Sequence, residues 1–232
     1  MNHRSSLHCI SSMATRQLLG VLAAQWTADT GQAVALESVG GVDAARRIDA
    51  GEPFDLAVLA ADALDKLRAA GRVGPVSAVA VSAVAIAASA GTAPPVATVA
   101  QLLATLQAAR CIGYSTGPSG KALLALLAQW RVLDSLQQRL LQAPPGVPVG
   151  ELIARGHCDL GFQQLSELIH FPGIALLGPM PAGGEIDTVF AAAPCTATAQ
   201  PEQAAGFIAY LQSAACAAAI RREGMDPVGA GA

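Results

Sequence analysis

Short apolar runs with the spacing of β-strands alternate with helix-like patterns along this 232-residue chain, roughly every 20–25 residues. Several of the helix-like segments stop at a glycine, as at Gly31, Gly51 and Gly71. The expected strands include Leu7–Ile10, Ala33–Ser38, Asp55–Ala60, Cys111–Ser115 and Asp159–Phe162. Alternation of this kind predicts an α/β fold in which mainly parallel sheets are flanked by helices.

The longest apolar run, Ala78–Ala90, divides this pattern into two sets of strands and helices. A membrane-spanning helix needs about 20 apolar residues, so we expect a buried pair of strands or one long strand here and no membrane insertion. The chain is predicted to leave a first lobe through this run and to return through Thr188–Ala193. We therefore expect lobe 1 at 1–80 plus 191–228, lobe 2 at 81–190, and a loose tail at 229–232.

The composition narrows the range of partners. Apolar residues make up 53% of the chain and charged residues 13%, which disfavours a disordered protein. The net charge is −3 and no basic run is interleaved with aromatic residues, so we expect no nucleic-acid partner. The five cysteines include no Cys-x-x-Cys and the histidines show no ligand spacing. We interpret the cysteines as small buried hydrophobes, and we expect a monomer with no metal and no cofactor.

Hydroxyl- and glycine-rich loops follow the expected strands and lead into helices. Ligands of open α/β sheets bind at the carboxyl ends of strands, here predicted to face a cleft between the lobes. Because a helix N-terminus presents free N–H groups, these loops suit an oxyanion or a carboxylate. Ordinary helix capping by the serines is the alternative interpretation. The candidate ligand-binding residues in these loops are Ser11, Ser12, Ser38, Gly40, Gly41, Tyr114, Ser115, Ser119, Gly120, Lys121, Gln163 and Gln164.

The segment from Ser115 to Lys121 is similar to a nucleotide-binding phosphate loop. That motif needs glycine at the position of Ser115 and Ser or Thr at the position of Ala122. Two mismatches, together with no obvious partner for a magnesium ion, disfavour a nucleoside triphosphatase.

Several segments, in order along residues 7–228, resemble one known family. They are Ile10-Ser11-Ser12, Ser38–Gly41, Gly51–Leu59, Asp62–Leu67, Ile112–Ser115, Gly161–Leu168 and Ala219–Val228. The set resembles the periplasmic solute-binding proteins of the molybdate-binding type, which have the type 2 binding-protein fold. The pieces Gly51–Asp55, Tyr114-Ser115 and Gly161–Leu168 are similar to a branch that includes aconitate isomerase. The resemblance implies two lobes joined by two crossing strands and closing on a molybdate-like oxyanion or a di- or tricarboxylate.

Two positively charged residues lie at predicted helix starts, where acidic residues are normally favoured. Arg16 and Lys121 each lie in the first predicted turn of a helix that follows a strand. Cations there oppose the helix dipole, and an anionic ligand would compensate them. The alternative is that both side chains point into solvent. We add Arg16 to the candidate ligand-binding residues.

The resemblance implies two functions. The first is binding of a small anionic solute as the substrate-binding component of an ABC-type transporter, with its permease as partner. The second is an aconitate-isomerase-like enzyme that moves a proton within an unsaturated tricarboxylate, for which Asp62, Glu167 and Lys121 are the candidates and Tyr114 an assistant. Family resemblance implies a periplasmic location. The sequence as written shows no secretion signal, which leaves cytoplasmic sensing as the alternative.

Overall fold

The computed structural model describes residues 6–91 and 96–228, which divide into two compact units. Unit 1 is the described part of Met1–Val81 and Val189–Ala232, and unit 2 is Ser82–Thr188. The loose tail predicted for residues 229–232 lies outside the described residues. Strands and helices occur in both units, so the predicted α/β class is confirmed.

The described residues form ten strands and ten α-helices. The strands are β1 (Leu7–Ser12), β2 (Val34–Val39), β3 (Leu56–Ala60), β4 (Ser77–Ser89), β5 (Ile112–Tyr114), β6 (Leu140–Gln142), β7 (Leu160–Gln164), β8 (Ile174–Pro179), β9 (Asp187–Pro194) and β10 (Asp226–Pro227). The helices are α1 (Arg16–Thr30), α2 (Gly41–Asp49), α3 (Ala61–Ala69), α4 (Val99–Ala108), α5 (Pro118–Gln129), α6 (Leu133–Leu136), α7 (Val149–Ala154), α8 (Leu165–Leu168), α9 (Pro201–Leu211) and α10 (Ala217–Arg222).

Unit 1 has a sheet in which helices cover both faces. β1 lies parallel to β2 and to β3, and β9 pairs antiparallel with β3. All five residues of β3 are buried, because Leu56 and Val58 pack on one face and Ala57 and Leu59 on the other. The first face packs against α1, α9 and α10, and the second packs against α2 and α3.

Unit 2 repeats this plan with the order β8-β4-β7-β5-β6. β5 lies parallel to β6 and to β7, whereas β4 pairs antiparallel with β7 and with β8. Leu160 and Phe162 of β7 pack with α4 and α5 on one face. Val149 and Ile153 of α7 pack on the other face, against Ala85 and Ala87 of β4.

The local stop signals behave as the sequence predicts. Gly31, Gly51 and Gly71 follow α1, α2 and α3 with positive φ angles of 72°, 83° and 71°. The apolar run forms one long strand, β4, rather than a pair of strands. The strand boundary that affects the candidate site differs, because β7 continues through Gln163 and Gln164, which were expected in the loop after that strand. Both amides are buried there, and each makes a side-chain hydrogen bond.

The carboxyl ends of the parallel strands lead directly into helices. β1 leads through a 3-10 turn at Met13–Thr15 into α1, and β2 and β3 lead into α2 and α3. In unit 2, β5 leads into α5 and β7 leads into α8. The predicted binding loops therefore lie at the carboxyl edge of the sheet in their own unit.

Neither a single membrane-spanning helix nor a metal-ligand cluster is found among the described residues. No single helix in this part of the chain is long and apolar enough to cross a membrane. The helical segments Pro201–Leu211 and Ala214–Arg222 together have the length and composition of a span, but they are bent by 56° relative to each other. Residues 6–91 and 96–228 also contain no group of three or more His, Cys, Asp or Glu side chains placed to hold a metal ion.

Candidate functional site

In unit 1, two serine hydroxyls meet at the carboxyl edge. Ser11 and Ser38 are register partners on β1 and β2, and their Oγ atoms lie 2.8 Å apart. Ser11 is fully buried and Ser38 is half-buried. Each hydroxyl has a single proton, so one of the pair donates to the other and the second proton is free to be donated elsewhere.

Ser12 lies beside this pair, and helix capping was the alternative to its predicted role in ligand binding. Its side chain makes no capping bond, and within the described residues its buried Oγ has no hydrogen-bond partner. Gly40 is the N-cap of α2, and a Cβ there would meet nothing within 4 Å. A Cβ at Gly41 would lie 3.7 Å from Ser12 Cβ, an ordinary contact. Neither glycine has a positive φ, so what both contribute is open space at the start of α2.

In unit 2, a second serine pair stands at the carboxyl end of β5. The Oγ atoms of Ser115 and Ser119 lie 2.8 Å apart, and Ser119 is buried. The first turn of α5 lies very close to the end of β5, because a Cβ at Gly120 would lie 1.9 Å from the Ser115 carbonyl oxygen and 3.1 Å from Cδ2 of Tyr114. Gly120 is therefore required for the close approach of α5 to the strand end.

The start of α5 is electrostatically suited to an anion. Its N-cap is Gly117, no described side chain caps it, and its first turn contains no acidic residue. Lys121 lies in that turn with an exposed side chain. By contrast, α4 begins with a complete capping box between Thr98 and Gln101. The N–H groups at the start of α5 thus remain available to a ligand.

Other predicted residues lie at the surface or support these groups. Arg16 is exposed at the first position of α1, and the exposed Asp62 pairs with Lys66 at 3.8 Å. Tyr114 is half-buried, with its ring against Gly120. A shallow depression elsewhere on unit 2 is lined by Glu185 and Asp187, whose carboxylates would repel an anion.

Glu167, a predicted proton-transfer residue, has a shielded carboxyl at the start of α8 although part of its side chain is exposed. Burial raises the pKa of Glu167 to about 7, and a hydrogen bond with the Gln163 side chain opposes part of that shift. Gln163 Oε1 also accepts a bond of 2.7 Å from the first N–H of α7, at Val149. Gln163 therefore holds Glu167 and caps α7, a role that the sequence did not predict.

Three polar residues beyond the predicted set are buried in unit 2. Gln164 Nε2 donates to Thr188 Oγ1 at 2.7 Å, and Ser82 Oγ lies 3.4 Å from Ser166 Oγ. Ser82, Ser166 and Thr188 are each no more than 9% exposed. No local motif marks them, because Ser82 is an isolated hydroxyl within an apolar strand and its partner is 84 positions away.

The model of the bacterial extracellular solute-binding protein family matches residues 7–226 of the chain. The chain belongs to this family. It is also 34% identical over 218 residues to aconitate isomerase from Pseudomonas sp., which is 93% of this chain and 79% of the relative. The predicted family resemblance is confirmed.

Solved structures agree on the fold. The periplasmic molybdate-binding protein of Azotobacter vinelandii is 25% identical and superposes with a TM-score of 0.81, covering 95% of this chain and 98% of that one. The sulfate-binding protein SubI from Mycobacterium tuberculosis is 14% identical with a TM-score of 0.79, covering 98% and 88%. The predicted type 2 binding-protein fold is thus confirmed.

Proposed function

We propose that this chain binds a small anionic solute, an oxyanion or a carboxylate. The observation that carries the proposal is the repetition of one arrangement in the two units. In each unit, two serine hydroxyls 2.8 Å apart lie at the carboxyl end of a parallel strand. The helix beside each pair is not capped by any described side chain. Hydroxyl and backbone N–H donors of this kind bind anions without net positive charge.

The net charge of −3 is compatible with this proposal, because the binding groups are local. Neutral dipoles at a helix start attract an anion over the short distances at which they act. Arg16 and Lys121, both in first turns, add positive charge close to the strand ends. The unpartnered Oγ of Ser12 is a further donor, since within the described residues nothing else uses it.

Transport is the setting that family membership supports. We propose that the protein is the substrate-binding component of an ABC-type transporter, acting as a periplasmic monomer that delivers its ligand to a permease. We further propose that the serine pairs of both units serve one ligand, in the cleft that the sequence analysis expects between lobes. Loss of either pair should then abolish binding, rather than halving the number of sites.

The test is a binding screen by thermal shift and calorimetry with molybdate, tungstate, sulfate, cis-aconitate and trans-aconitate. Ser11→Ala and Ser115→Ala should each weaken binding about 10- to 100-fold, since each removes a hydrogen bond to a charged group. The control Ser135→Ala removes an exposed hydroxyl that bonds only the Val132 carbonyl, and should leave affinity unchanged. A chain that binds none of these anions, or whose Ser11 and Ser115 variants bind as well as the wild type, would refute the proposal.

A second variant separates anion binding from general weakening of the fold. Gly117 has φ −81° and ψ −169°, which aspartate adopts readily, and the nearest atom to a Cβ there is Ser115 Oγ at 3.9 Å. Gly117→Asp should cap α5 and stabilise the protein by a few tenths of a kcal/mol, on the order of 0.3 kcal/mol. Its carboxylate would also occupy the anion position. We therefore expect a raised melting temperature together with lost anion affinity.

An isomerase is the second candidate function, favoured by the similarity to aconitate isomerase and by Glu167. A carboxyl with a pKa of about 7 can both accept and return a proton near neutral pH. We propose that, in this case, Glu167 removes a proton from one carbon of an unsaturated tricarboxylate and returns it to the other end of the allylic system. Lys121, Asp62 and Tyr114 stay alternative candidates for this role.

The isomerase is tested by following interconversion of cis- and trans-aconitate by NMR. Glu167→Gln should abolish turnover while keeping the thermal shift caused by the ligand. Lys121→Met and Asp62→Asn, at exposed positions, should lower turnover less. Binding of either aconitate without any interconversion by the wild type would eliminate the isomerase and leave solute binding.

A further inference from the structure

Two cysteine thiols far apart in the sequence lie side by side in unit 2. Cys111 directly precedes β5 and Cys158 precedes β7, 47 positions later, and their Sγ atoms are 3.1 Å apart. β5 and β7 are parallel neighbours with Ile112 opposite Leu160. The two thiols therefore meet at the amino edge of the sheet, at the opposite end of these strands from the serine pair.

Backbone hydrogen bonds fix the two segments against each other. The carboxylate of Asp159 accepts from the N–H of Cys111 at 2.8 Å and from the N–H of Arg110 at 3.0 Å. In return, the carbonyl oxygen of Cys111 accepts from the N–H groups of Asp159 and Leu160, both at 3.3 Å. These hydrogen bonds hold the two segments together, so the short distance between the sulfurs does not depend on the two side-chain rotamers alone.

The surroundings leave room for the sulfurs. A Cβ at Gly113 would lie 3.2 Å from Cys158 Sγ and 3.1 Å from Cγ1 of Val149. A larger residue would press on the Cys158 sulfur. Cys158 is buried at 2% exposure, whereas Cys111 is partly exposed, so one thiol of the pair can be reached from solvent.

We propose that Cys111 and Cys158 form a redox modification site, which closes to a disulfide when the protein meets an oxidised disulfide donor. The sulfurs need to approach by about 1 Å to reach a bonding distance of about 2.05 Å. This proposal is independent of the solute that the protein binds.

The reaction is a double thiol–disulfide exchange. The thiolate of Cys111 attacks one sulfur of the external disulfide and releases the other half as a thiol. The Cys158 thiolate then attacks Cys111 Sγ in this mixed disulfide and releases the second half. Two protein thiols are oxidised, one external disulfide is reduced to two thiols, and the two protons pass to the leaving sulfurs. Burial raises the pKa of the Cys158 thiol, so the second step should be the slower one.

The disulfide would join the amino ends of β5 and β7 and close a long loop. Such a cross-link stabilises a protein mainly by restricting its unfolded chain. In an oxidising compartment, where structural disulfides persist, the site would be closed. Because it lies at the amino edge, closure should leave anion binding unchanged.

The test uses the full chain, reduced and then transferred to a buffer with excess oxidised glutathione. Thiols titrated in denaturant should fall from five to three, and mass spectrometry should identify a Cys111–Cys158 link. The melting temperature should rise by about 5–10 °C and return on reduction. Cys111→Ser and Cys158→Ser should each prevent the link and the rise. The control Cys195→Ser, at another buried cysteine, should retain both.

Three results would overturn the proposal. They are persistence of all five thiols, a link that involves another cysteine, and a Cys111–Cys158 link with no change in melting temperature. Should Cys158→Ser fold poorly, Cys111→Ser tests the same link from the more exposed position. The anion-induced thermal shift is also measured on reduced and on oxidised samples. Failure of the proposed anion binding can then be distinguished from failure of the proposed disulfide.

Discussion

Replacing Glu167 with Gln should change how stability depends on pH. The pKa of Glu167 is about 7 in the folded chain because burial disfavours the carboxylate, against an ordinary value of 4.5. Between these values the folded state keeps a proton that the unfolded state has released. The free energy of unfolding therefore falls as the pH rises through this interval.

The slope of that fall is about 1.4 kcal/mol per pH unit, which gives a total near 3 kcal/mol between pH 4.5 and pH 7. Glutamine cannot ionise, so the variant lacks this loss. The free energy of unfolding of Glu167→Gln minus that of the wild type should therefore be about 3 kcal/mol larger at pH 8 than at pH 4.5.

Urea unfolding at several pH values, followed by the fluorescence of Trp26 and Trp130, measures this difference. The control Glu202→Gln makes the same chemical change at an exposed position, and its stability difference from the wild type should not vary with pH to this extent. If the wild type and Glu167→Gln keep a constant difference from pH 4.5 to pH 8, burial does not raise the pKa of this carboxyl and the argument for a proton-transfer role fails.

Four further variants test the candidate site and the packing of the two units. Gly120→Ala places a Cβ 1.9 Å from a backbone carbonyl oxygen and should lower the melting temperature sharply, whereas Gly40→Ala enters open space and should weaken only anion binding in calorimetry. Asp55→Ala removes a buried carboxylate that accepts from the His8 N–H and the Thr198 hydroxyl, and should lower the free energy of unfolding in urea by about 2–3 kcal/mol. Gln163→Leu removes the hydrogen bond that lowers the pKa of Glu167, so NMR titration should find that pKa above its wild-type value.

The sequence predicted those parts of the fold that are decided locally. The stops at Gly31, Gly51 and Gly71 were predictable because a left-handed residue after a helix favours glycine wherever it occurs. Thr98 was predictable as a cap, since its partner Gln101 lies three residues away. The run at Ala78–Ala90 indicated a strand because it is apolar on both faces, and β4 follows it closely.

The hydrogen-bond partners of two candidate ligand-binding residues were not predicted from the sequence. Capping of the helix was the alternative interpretation of Ser119, but Pro118 takes the first helical position and Gly117 the N-cap. The Ser119 hydroxyl turns back to Ser115 instead. Gln163 was predicted in the loop after its strand, yet it lies within β7 and its amide is satisfied at two points within unit 2.

The start of α5 departs from ordinary helix rules in two ways. α4, which follows no parallel strand, has a full capping box, whereas α5 begins at an uncapped Gly117 and carries Lys121 in its first turn. A serine or aspartate in place of Gly117 would add on the order of 0.3 kcal/mol, and an acidic residue in the first turn would add about 0.3–1 kcal/mol. An anion bound at the helix start would restore both contributions, because it accepts the free N–H bonds and pairs with the cation. An uncapped start and a cation in the first turn are together what we expect of a helix that binds an anion.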